Sequence, residues 1–126
     1  SGADWIIEGL AEYYSLEVLR RSGTIGEKRY RTARSKLAAW ATDAKSLCTD
    51  PATGAVTARA VTLLAALDAE ISSGSNGRHN LDDVVRAVAG SRDKMSAERL
   101  RAIAGDLADG ESAVLSAKDL NDCENP

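Results

Sequence analysis

The sequence predicts an all-α fold of about five helices, and three features carry that expectation. The chain is 44% hydrophobic yet only 4% aromatic, with no Phe, so Ala, Leu, Val and Ile must fill the interior, and Ala and Leu are strong helix formers. It contains only two prolines. Apolar residues recur at spacings of three and four, and no long stretch alternates apolar with polar residues as a half-buried strand does. A length of 126 residues suits one hydrophobic core. No linker, internal repeat or low-complexity segment divides the chain, so residues 1–126 are expected to form a single helical module.

The first helix is placed from about Asp4 to Arg21, with Trp5, Ile6, Leu10, Tyr13 and Leu16 or Val18 along its apolar side. Gly23 closes it, as the residue able to adopt a left-handed conformation. Thr24 and Glu27 have the spacing of a capping box opening a second helix. That helix is expected to continue to about Leu47 through Tyr30, Ala33, Leu37, Ala41 and Ala44. Asp50-Pro51-Ala52-Thr53-Gly54 has the composition of a turn. The third helix, about Ala55 to Ser72, is apolar on nearly every side, which predicts a buried central helix. Ser72 to Gly77 is the one loop-like, flexible stretch. Asn80 caps a fourth helix with Asp82 and Asp83 in its first turn, and Ser96 caps a fifth that ends at Gly110. A last turn is placed around Ser116 to Asp122.

The formal net charge is −3 and the pI is near 5.2, which argues against a dedicated nucleic-acid binder, since phosphate neutralisation needs a basic surface. Arg20, Arg21, Lys28, Arg29, Arg31, Arg34 and Lys36 form a local basic exception, whose functional reading is a phosphate-binding patch and whose favoured reading is a solvated helix face plus two arginines suited to a helix C-terminus. No run approaches the ~20 apolar residues of a spanning helix, and no signal peptide is visible; Ser1-Gly2-Ala3 resembles a tag-removal remnant. Cys48 and Cys123 fit either one disulfide or two free thiols. The lone His79 sits in a Gly/Asn-rich loop, so no Ser-His-Asp arrangement has support. Phosphate-binding glycine motifs and an EF-hand spacing are absent as well.

The informative segment is Trp5-Ile6-Ile7-Glu8-Gly9-Leu10-Ala11-Glu12-Tyr13-Tyr14. Helical geometry puts Glu8 and Glu12 on one face, a turn apart. Glu8 in this apolar setting is exposed, hydrogen-bonded at the helix entry, or bound to something positive. Gly9 within a helix costs about 1 kcal/mol relative to Ala, which suggests close approach of another backbone. All five aromatics lie in the first forty residues, so the first two helices are the better place to look for recognition.

That segment resembles the W-x-x-E-G-x-A-x-Y-Y stretch of gluzincin zinc metallopeptidases, particularly the glycyl aminopeptidase family. Glu17 to Gly26, Arg59 to Asp68 and Asn80 to Val85 resemble the family's later segments in order and spacing, so the similarity covers most of residues 5 to 110. The resemblance implies the helical C-terminal part of a bacterial-type catalytic domain. It implies that Glu8 is the third zinc ligand, with an HExxH helix outside this chain supplying two His ligands and the general base. Peptide substrates, and the remainder of its own catalytic domain as partner, follow from it. With one carboxylate and no HExxH, the isolated chain is expected to be inactive and to bind no zinc tightly. Two positions depart from the pattern: Thr57 stands where the family often has an oxyanion-stabilising Tyr, and Ala60 where Gly is usual. The competing reading is a non-catalytic helical interaction module. Either way, an exposed apolar face on the first helix can drive dimerisation.

Overall fold

The computed structural model describes residues 3–48, 53–92, 94–116 and 120. Its helices are α1 (Asp4–Arg21), α2 (Glu27–Ala41), α3 (Gly54–Gly74), α4 (Leu81–Ala89) and α5 (Ala97–Ala108), followed by a 3-10 turn at Val114–Ser116. No strand occurs among the described residues, and none of the helices is long and apolar enough to cross a membrane. The fold is the expected helical bundle.

α3 is the central element and packs against α1, α2, α4, α5 and the 3-10 turn. Ala58, Ala60, Val61, Leu64, Leu67 and Ile71 are all buried along it, so the helix without a polar side occupies the middle of the domain. α1 crosses it very closely. A Cβ added to Gly9 would lie 2.7 Å from the Ala60 Cβ and 3.0 Å from Leu64 Cδ1, which accounts for a glycine within a helix. Further along, Tyr13 shares a cleft with Ala65 and Asp68, so α1 and α3 run in the same direction. α2 packs along α3, bringing Trp40 against Gly54 at the start of α3.

Several helix ends have the predicted chemistry. Gly23 has φ +76° after α1. Asn80 and Asp83 form a reciprocal capping box at α4, and the Ser96 hydroxyl accepts from the Arg99 backbone N–H at α5. Thr53 caps α3 by accepting from the Val56 N–H. Residues 49–52, the rest of the predicted turn, lie outside the described residues, as does most of the predicted terminal turn.

Four expectations are corrected. The Thr24–Glu27 capping box does not form: Gly26, in extended conformation, is the N-cap of α2 and Glu27 its first residue. Thr24 therefore lies too early and pairs with the Ser22 hydroxyl at 2.8 Å instead. α2 stops at Ala41 and not near Leu47. Thr42 turns its hydroxyl back to the Ala39 carbonyl at 2.8 Å, a side-chain bond that competes with helix continuation. Ala44 and Leu47 are still buried, but the chain delivers them by turning inward, and Arg59 donates to the Ala44 carbonyl at 2.9 Å. Ser72 to Gly77 is loop-like only in its second half: α3 runs through Gly74, Ser75 to Gly77 turn, and buried Ser75 accepts from the His79 backbone N–H at 2.9 Å. α5 ends at Ala108, with Asp109 taking the left-handed position ahead of Gly110.

The end of the bundle is tied by Glu70 of α3. Its carboxylate accepts from the Ser112 hydroxyl and from the backbone N–H groups of Ala113 and Val114 at 2.9 and 3.1 Å, gathering the open donors that lead into the 3-10 turn. Cys48 is disulfide-bonded; Cys123, the only other cysteine, lies outside the described residues.

Candidate functional site

The residues of α1 divide between two faces. Trp5 (2% exposed), Ile6, Gly9, Leu10, Tyr13 and Glu17 are buried, a stripe at the three- and four-residue spacing of one helix side. Glu8 lies on the opposite side with Ile7, Ala11, Glu12, Ser15 and Val18, all exposed. Ile7 and Val18 are 52% and 61% exposed. Along that flank they alternate with the two carboxylates and leave an apolar strip about three turns long. Among the described residues nothing bonds to the Glu8 carboxylate.

Because α1 and α3 are parallel and Gly9 rests on Ala60, Thr57 sits at the same end of the helix pair as Glu8. Thr57 is half-buried in the first turn of α3. His79 is far along the chain on the α4 side, half-buried, with Nδ1 3.3 Å from Asp83 Oδ2; it belongs to the helix cap. No group of three or more His, Cys, Asp and Glu side chains gathers among the described residues. A zinc ion held by Glu8 would therefore take its other ligands from outside this set.

The structure also brings together a polar cluster that the sequence pattern did not single out. The buried stripe of α1 continues past Tyr13 through Glu17, not through Leu16 or Val18. Glu17 is only 3% exposed. Its Oε2 accepts from Arg20 at 2.7 Å and from Arg21 at 3.1 Å, and its Oε1 from the Tyr30 hydroxyl at 2.5 Å. Arg21 then reaches α4, donating to both oxygens of Asp82 at 2.9 and 3.2 Å, and Tyr14 donates to Asp82 at 2.5 Å. Arg34 donates to the Tyr30 hydroxyl at 3.1 Å. The two arginines at the end of α1 thus do more than complement the helix dipole: they bind α1 to α4 and neutralise a buried carboxylate.

The electrostatics follow from those contacts. Burial pushes the Glu17 carboxyl upward, but hydrogen bonds from Arg20, Tyr30 and Arg21 outweigh it and hold it below the ordinary carboxylate value. The Arg21 bond holds Asp82 low against its own burial, with Tyr14 adding to it. Tyr13 is driven well above the ordinary tyrosine value, first by burial and then by the charge of Asp68. A cleft of ≈ 440 Å³ opens beside this cluster, with Arg34, Tyr13 and Asp68 on its walls. The signal in the sequence was the spacing itself: Glu17 lies four residues after Tyr13 and three and four before Arg20 and Arg21, and a search restricted to apolar letters passes over it.

Lys28, Arg31, Thr32 and Lys36 of α2 face outward around a shallow depression, so that part of the basic run is a solvated face.

No protein-family model, curated protein or solved structure matches this chain.

Proposed function

We propose that this chain is the helical part of a zinc-dependent, aminopeptidase-like metallopeptidase of the gluzincin kind, with α1 presenting Glu8 to the metal. One observation carries the reading: in the segment that resembles the family's W-x-x-E-G-x-A-x-Y-Y motif, the Trp, the Gly and the first Tyr are spent on packing, while Glu8 faces out. Trp5 and Tyr13 are buried, Gly9 accommodates α3, and Tyr14 is bonded to Asp82. A carboxylate without a partner beside the exposed Ile7 suits a helix face that an adjoining element covers while it completes a metal site. Two imidazoles and one carboxylate would leave a fourth position on zinc for a water of lowered pKa, the attacking group in peptide hydrolysis. The role of this chain's own residues is to hold Glu8 rigidly: Gly9 on Ala60 fixes the depth of α1, and the Arg21–Asp82 bonds fix its far end.

A second reading, a non-catalytic helical interaction module, is favoured by Thr57. A threonine at the Glu8 end of the helix pair is shorter and far less acidic than the tyrosine that stabilises an oxyanion in the family. Both readings meet in one assay. The natural full-length polypeptide should release amino-terminal residues from peptide amides, and Glu8→Gln should lower kcat/KM by at least ~100-fold without changing the melting temperature. Absence of activity in a folded, zinc-supplied wild type would favour the interaction module; equal activity in Glu8→Gln would remove Glu8 from the chemistry.

A further inference from the structure

We propose that the cleft between α1, α2 and α3 is a binding site for a small zwitterion, a free α-amino acid, with its carboxylate on Arg34 and Tyr13 and its ammonium on Asp68. The site is separate from Glu8, on the opposite side of α1 and more than a helical turn along it.

Three features point to a ligand. Tyr13 is 5% exposed and lines the cleft, yet its hydroxyl bonds to nothing among the described residues. Although the ring is buried, the hydroxyl oxygen is open to solvent at the cleft, so a ligand can reach it. Arg34 uses only Nη1, on the Tyr30 hydroxyl, which leaves most of a guanidinium's five donors open. Its position is fixed, with the guanidinium carbon 6.0 Å from the Tyr13 ring centre and 5.9 Å from that of Tyr30. Asp68 spends Oδ1 on the Leu81 backbone N–H at 2.8 Å and keeps Oδ2 for another donor.

Most of the other charges are paired, although the buried Nε of Arg20 has no hydrogen-bond partner among the described residues. Arg20 and Arg21 are held by Glu17 and Asp82, and Glu17 is fully used by its three donors. Three arginines face three carboxylates along the lining, so the cleft has no net charge to favour a simple anion or cation. It has separated open groups of both signs, which match a ligand carrying both. The raised Tyr13 pKa keeps its hydroxyl a donor at any physiological pH. A volume of ≈ 440 Å³ lies toward the small end of ligand sites and suits an amino acid better than an extended peptide.

The probe is L-alanine, titrated into the isotopically labelled protein and followed by backbone amide NMR. N-acetyl-L-alanine lacks the ammonium and L-alaninamide lacks the carboxylate. L-alanine should shift the amide signals around Tyr13, Arg34 and Asp68 saturably, and each derivative should bind roughly tenfold or more weakly. Tyr13→Phe removes only an unbonded hydroxyl, so it should fold as the wild type does and bind L-alanine several-fold more weakly. The proposal is overturned if L-alanine gives no saturable shift. It is overturned equally if either derivative binds as well as L-alanine, or if Tyr13→Phe leaves the affinity unchanged.

Discussion

Replacing Gly9 by valine should destabilise the fold by about 3 kcal/mol, measured as the loss in unfolding free energy in urea. The added atoms enter space where a Cβ alone would already be 2.7 Å from that of Ala60. Trp5, Ile6 and Leu10 are buried on the same side of α1 as Gly9, so α1 cannot withdraw without opening them to water. Gly9→Ala is the more discriminating variant. Helix propensity alone would make it about 1 kcal/mol more stable than glycine, whereas the clash makes it a net loss of about 1–2 kcal/mol. Adding Ala60→Gly to Gly9→Ala moves the missing methyl to the other helix and should recover most of that loss, a coupling read from the double-mutant cycle. A stabilised Gly9→Ala would mean that α1 and α3 are not in contact there.

Loss of the Glu17 carboxylate has the second large effect. Glu17→Ala leaves the Tyr30 hydroxyl and two arginines without their shared acceptor, on a residue that is almost entirely enclosed. Arg20 and Arg21 are themselves partly solvated, so the cost falls below that of breaking a wholly buried pair, at about 2 kcal/mol. Glu17→Gln separates charge from shape. The folded-state pKa of Glu17 is below its unfolded value, so its contribution is complete above the ordinary carboxylate pKa of ~4 and is lost as pH falls through the folded-state value. The wild type should therefore lose melting temperature steeply below about pH 4, and Glu17→Gln, already weakened at neutral pH, should lose it less steeply. Asp82 and Asp83 are also held low, so some acid sensitivity persists in the variant. Parallel acid limbs for the two proteins would remove Glu17 from the linkage.

Where local chemistry decided the structure, the sequence was a good guide. α1 spans Asp4–Arg21 as its apolar spacing and Gly23 indicate, and Asn80 with Asp83, or Ser96 alone, mark helix starts that need no tertiary information. The central place of α3 was legible because a helix with no polar side has nowhere else to go. The same reasoning failed where local options compete. Thr42 can extend a helix or bond back to Ala39, and tertiary burial of Ala44 and Leu47 favoured the turn. Thr24 and Gly26 both suit a helix start, and the extended conformation of Gly26 won.

The candidate sites divide along the same line. Glu8 was picked out by a motif, and the close approach of another backbone at Gly9 by the cost of a glycine in a helix; that the neighbour is α3 comes from the structure. The Glu17 cluster was not picked out, because a buried carboxylate interrupts the apolar pattern; Arg20 and Arg21 follow it at helical spacing, but Tyr30 of α2, and Asp82 of α4 beyond Arg21, come from elements that spacing cannot bring together. Tyr13 was assigned to the core correctly, but its unbonded hydroxyl becomes visible only when the neighbours are in place.

The most direct test of Glu8 as a metal ligand is the zinc content of the natural full-length polypeptide after dialysis, measured by elemental analysis for the wild type, Glu8→Gln and Glu12→Gln. The exposed Glu12, one turn along the same face, controls for loss of surface charge. The account predicts about one zinc per chain in the wild type and in Glu12→Gln, falling sharply in Glu8→Gln. A folded wild type without zinc, or a Glu8→Gln variant that retains it, would contradict the assignment.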